Sequence, residues 1–116
     1  MKELITEIEY KGEKYTLAFN LNVMEEIQAE YGSLDKWGTK CEPKKGEPDI
    51  KAVKFGFTAM LNEGIDMYNS ENPTATKPFL TPKQVGRIMS ELGMTDTKAA
   101  LNDAVVKSTQ SAEKNA

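Results

Sequence analysis

The chain has 116 residues, with 15 Lys and Arg against 18 Asp and Glu, no histidine and one cysteine. That length suits one domain around one core; the single Cys41 rules out an internal disulfide, a Cys/His zinc site and a Cys–His nucleophile pair. A composition of 39% hydrophobic and 28% charged residues is that of a soluble folded domain, and a net charge of −3 disfavours neutralising nucleic-acid phosphates. The longest uncharged stretch, Tyr15 to Met24, falls well short of the roughly 20 residues of a membrane-spanning helix. Glu3, Glu7 and Glu9 interrupt the apolar run that a secretory leader needs. A cytoplasmic protein without a membrane span is the expectation.

In chain order, Leu4, Thr6, Ile8 and Tyr10 alternate with Ile5, Glu7 and Glu9, and Tyr15, Leu17 and Phe19 alternate with Lys14, Thr16 and Ala18. Period two in both arms predicts a β-hairpin. With Gly12-Glu13 as a II′ turn, Lys11 faces Lys14 and Ile8 faces Leu17, all large apolar groups lying on one face. Such a hairpin must pack on helices to be stable. Val23, Met24, Ile27 and Tyr31 predict a helix over 21–31, capped by Asn20 or Asn22 and stopped at Gly32. Ser33 caps a short helix bearing Leu34 and Trp37, which Gly38 ends; TKCEPKKGEP at 39–48 reads as a weakly basic loop.

Asp49 then caps the longest helix, 50–69, with Ile50, Val53, Phe57, Met60, Leu61, Ile65, Met67 and Tyr68 on one broad face. Gly56 and Gly64 within it predict close approach by other elements. After a polar segment at 69–78, Thr81-Pro82 opens a helix carrying Val85, Ile88, Met89 and Leu92 and ending at Gly93. Thr95 or Asp96 caps a last helix with Ala99, Ala100, Leu101, Ala104 and Val105, and the polar end frays from Thr109. The expected fold is α+β: an N-terminal two-stranded antiparallel hairpin on a bundle of four to five helices, one domain over 1–108 with a flexible tail at 109–116.

No glycine-rich phosphate loop, calcium loop or metal cluster is present in the pattern, so neither cofactor nor metal is expected, and nothing points to an enzyme. Residues 81–107 have the helix, glycine, helix order of a helix-turn-helix. Yet the second helix opens Thr95-Asp96-Thr97-Lys98 and then shows Ala99 and Ala100, lacking the base-reading side chains of a recognition helix. A small DNA-binding regulator is the alternative function. Phe55 lies about 160° from its helix's apolar stripe; it is either covered by another element or a partner-binding anchor. Trp37, on a short helix before a loop, is weighed in the same way. Met24, Met60, Met67 and Met89 fit core filling, although methionine surfaces also suit adaptable binding.

The phrase Gly12, Tyr15, Leu17, Phe19 in YKGEKYTLAFNLNVMEEIQAEYGSLDKW at 10–37, the helix ending Tyr31-Gly32-Ser33-Leu34, and FLTPKQVGRIMSELGM at 79–94 together resemble the tail assembly chaperones of long-tailed phages and prophages, gene-transfer-agent-like tail proteins included. The resemblance covers about residues 4–94 and rests on packing and cap positions. It implies a small α+β protein of the bacterial host cytoplasm, absent from the mature virion, that binds and shields the tape measure protein during tail tube assembly. Tail tube subunits are a second candidate partner, self-association is expected, and nucleic acid and membrane are not. The resemblance transfers no functional residue; Phe55 and Trp37 are the candidate contacts.

Overall fold

The computed structural model describes residues 5–114, with side chains as far as Thr109. Leu4 of the predicted alternation and the last two residues of the predicted tail lie outside the described residues. The elements run β1 (Thr6–Tyr10), β2 (Glu13–Leu17), α1 (Leu21–Tyr31), α2 (Leu34–Cys41), α3 (Ile50–Glu71), α4 (Pro82–Leu92) and α5 (Met94–Lys114). This is the expected α+β hairpin on helices.

The two strands pair antiparallel, but the register differs from the expected one: Ile8 faces Tyr15 and Thr6 faces Leu17. The turn is centred on Lys11-Gly12, both at positive φ (52° and 80°), the requirement of a I′ turn. A turn at Gly12-Glu13 would set Lys11 opposite Lys14, two like charges directly across the ladder; the observed register sets Glu9 opposite Lys14 instead. That gain, with a turn whose twist matches the strands, offsets the roughly 1–2 kcal/mol of a left-handed lysine. Moving the turn by one residue shifts pairing by two, so the facing of each side chain survives: Ile8 and Leu17 are buried and Glu7 and Glu9 exposed.

Helix α3 is the spine, against which β2, α1, α2, α4 and α5 all pack. Its centre is buried nearly all round, through Ala52, Val53, Phe57, Ala59, Met60, Leu61 and Ile65. Toward its two ends Ile50, Met67 and Tyr68 are exposed, against the broad face drawn from the sequence. Both glycines serve close approach. A Cβ on Gly56 would fall inside the Trp37 indole, and one on Gly64 would fall on the Thr16 carbonyl. Next to that crossing, the Ala18 N–H donates to the Met60 carbonyl at 3.2 Å.

Caps behave as sequence chemistry dictates. Asn20, Ser33, Asp49 and Thr81 each accept the N–H of the residue three further on, and Thr81 with Gln84 closes a full capping box. Two boundaries differ. Helix α2 runs through Gly38 to Cys41, because Gly38 has helical rather than left-handed φ. Helix α5 starts at Met94, directly after Gly93, and its backbone stays helical past Thr109 to Lys114, so the 108/109 boundary does not mark a helix end.

Two asparagines of α3 hold the 72–81 connection. Asn62 accepts the Leu80 N–H at 2.8 Å and donates to its carbonyl at 2.9 Å. Asn69 does the same for Lys77, at 2.8 and 3.0 Å. The two asparagines sit about 10.5 Å apart along the helix axis, and the three residues from Lys77 to Leu80 span about 10 Å when extended. The matched lengths let α3 act as a ladder for an extended strap, which delivers Thr81 and Pro82 to the start of α4.

Candidate functional site

Trp37 is 5% exposed. Its indole N–H donates to the Ala52 carbonyl at 2.9 Å, its ring stacks near Phe19 at 6.5 Å between centroids, and Gly56 makes room for it. As a partner contact it is corrected: the short helix carries it inward, where an indole buries large apolar area while its N–H keeps a partner. Cys41 is buried close by, and burial, then the charges of Asp49 and Glu42, push its thiol up to about 12. It is a packing residue and not a nucleophile. Among the described residues no group of three or more His, Cys, Asp or Glu is placed to hold a metal ion, and no helix is long and apolar enough to cross a membrane.

Phe55 falls between its two readings. Half-buried, it meets Tyr31 of α1 edge-to-face at 5.5 Å and 81°, and it lines an open groove of about 470 Å³. The floor is Phe55, Ala59 and Pro82; Glu26 of α1 contributes one charge, and Lys51 and Lys54 of α3 contribute two of opposite sign. Burial, then the neighbouring Glu63 and Glu25, raises the Glu26 carboxyl above its ordinary value.

A second groove, of about 500 Å³, opens where the hairpin ends against α1, α3 and α5. Leu17 and Phe19 follow the hairpin into it, Leu21 and Met24 come from α1, Met67 from α3 and Ala104 from α5. Three of its side chains lie largely open: Leu21 at 80%, Met67 at 51% and Ile5 at 45%. Leu21 is held there by its neighbours. Asn20 caps α1 and donates to Glu63 at 2.8 Å, and Asn22 donates to the same oxygen at 3.1 Å, fixing the first turn of α1 on α3. The opposite rim is tied as well: Thr6 donates to Asp103 at 2.7 Å, and Lys107 pairs with Asp103 at 3.0 Å while donating to the Ile5 carbonyl. The hydrogen bond from Thr6, then that from Lys107, holds the Asp103 carboxyl below its ordinary value.

Sequence reasoning missed this groove. The usable signal was Leu21, a large apolar residue about 100° off the stripe set by Val23, Met24, Ile27 and Tyr31. Two of the four methionines expected to fill the core, Met60 and Met89, are buried, whereas Met24 and Met67 line the groove. In the helix-turn-helix segment, Gly93 alone joins α4 to α5, shorter than the roughly 3–4-residue turn of that motif. The exposed face of α5 carries Asp96, Asn102 and Asp103, and Lys98 and Lys107 are engaged with Glu42 and Asp103, a poor surface for phosphates. The chain matches no family model, no curated protein and no solved structure.

Proposed function

We propose that the chain is a phage or prophage tail assembly chaperone that binds and shields the tape measure protein while the tail tube is built. The resemblance at residues 10–37 and 79–94 supports this reading. The observation that carries it is the groove beside Leu21, an apolar trough lined by Met24 and Met67 in which Leu21, Met67 and Ile5 lie open. A holdase for a long helical chain must cover apolar seams weakly and repeatedly, then yield to tube subunits; an amphipathic helix laid into a shallow groove does this. Methionine suits the task because its unbranched, polarisable side chain repacks against successive, unequal segments. Exposure of Leu21 and Met67 costs the free protein solvation free energy, at about 25 cal/mol per Å², that the bound segment returns. The role needs no catalytic group, cofactor or nucleic acid, and is exercised in the host cytoplasm before the virion is complete, with tail tube subunits as the competitors that displace it.

Co-expression with the tape measure protein of the same phage or prophage tests the reading. The wild type should keep that protein soluble and co-purify with it, and the Leu21→Ser, Met67→Ser double variant should lose at least about tenfold in capture, or about 1.4 kcal/mol, while melting within a few degrees of wild type. Equal capture by both proteins, or none by either, would refute it.

A further inference from the structure

We propose that the Phe55 groove seats a second copy of this chain, the two molecules meeting about a twofold axis close to Phe55 so that Glu26 of each faces Lys51 and Lys54 of the other. The groove is apolar along its floor, at Phe55, Ala59 and Pro82, and bipolar in charge, with acid from α1 and base from α3. Among the described residues none of Glu26, Lys51 and Lys54 forms an ion pair. An interface of this symmetry must be complementary to itself, since each patch meets its own image. A groove of one charge sign would repel its copy. Opposite signs from two different helices are exchanged by the twofold, so every carboxylate meets an ammonium and the apolar floors face each other. Glu26 gains most, being crowded by Glu25 and Glu63 with no cation of its own.

The groove is also preformed. Asn62 grips Leu80 by both backbone groups, and the Thr81–Gln84 capping box fixes Pro82 at the groove's end, so little order is lost on docking. Eight residues line it, against the roughly 20–30 per side of a stable interface, and the dimer is therefore weak and concentration-dependent. The inference does not depend on what the Leu21 groove holds.

Sedimentation velocity over a concentration series, on the full chain, tests it. The wild type should pass from monomer to dimer as concentration rises. Lys54→Glu and Glu26→Lys, each alone, place like charges across the axis and should weaken association by at least about tenfold. An equimolar mixture of the two variants restores the wild-type pairs on one side of the axis and an exchanged pair between positions 26 and 54 on the other, leaving only Lys51 against a like charge at position 26. It should recover dimer at concentrations where neither variant alone forms it. A wild type that stays monomeric throughout, a dimer indifferent to both swaps, or swaps that weaken association without recovery on mixing would each overturn the proposal.

Discussion

Replacing Gly64 with alanine sets two effects of opposite sign against each other. In an open helix interior, alanine is worth about 1 kcal/mol more than glycine. At Gly64 the added methyl meets the Thr16 carbonyl, with its carbon at 3.0 Å, and the obstacle is backbone that cannot rotate away. Strand β2 has to move off α3, straining the Ala18–Met60 hydrogen bond beside it, worth about 1 kcal/mol, and adding about 1–3 kcal/mol of overpacking. The clash wins by about 1–3 kcal/mol, and since about 1 kcal/mol moves the midpoint of a domain of this size by about 4 °C, the midpoint falls by about 4–12 °C. Gly86 is the control. A methyl there meets only the flexible Lys54 side chain at 3.7 Å, so Gly86→Ala should gain up to about 1 kcal/mol. Thermal melts of the three proteins read the sign directly. A Gly64→Ala protein at or above the wild-type midpoint would refute the crossing of β2 over α3.

Trp37→Ala should cost about 3–5 kcal/mol, a large part of the roughly 5–15 kcal/mol available to a domain, as read by urea denaturation; a loss below about 1 kcal/mol would return the ring to the surface. Asn62→Ala removes both hydrogen bonds to Leu80 and should cost about 1–2 kcal/mol, with limited proteolysis accelerating within 72–81; unchanged cleavage would count against the strap. Asp103, whose folded carboxyl is held below its ordinary value by Thr6 and Lys107, stabilises the fold above the unfolded carboxylate range near pH 4 and loses that contribution as pH falls through its lowered value. The wild type should therefore out-melt Asp103→Asn at neutral pH, with the gap closing below about pH 4; a gap that widens in acid would contradict the network.

The fold was legible wherever local chemistry decided it. Asn20, Ser33, Asp49 and Thr81 announced four helix starts, and period-two alternation announced the hairpin and its faces. What could not be read depended on pairs distant in sequence. The hairpin register turned on whether Lys11 tolerates a left-handed backbone in exchange for a Glu9–Lys14 pair, a balance that alternation alone leaves unweighed. Gly56 and Gly64 signalled close approach without naming Trp37 or Thr16, and Asn62 and Asn69 carried no mark of the strap they hold. The candidate contacts fared unequally: Trp37 went to the core because Gly56 opens a slot for it, and Phe55 stayed in a groove. The Leu21 groove carried a single mark, the off-stripe Leu21, because the rest of it is assembled from the hairpin and three helices distant in sequence.

The most direct test of the central claim uses methionine methyl groups as reporters. With the methyls carbon-13 labelled, a tape measure fragment should shift or broaden the signals of Met24 and Met67, which line the Leu21 groove. Met60 and Met89, buried in the core, and Met94, at the start of α5, should hold their positions. Binding that moves Met94 and leaves Met24 and Met67 unchanged would place the contact on the α4–α5 face and contradict the account.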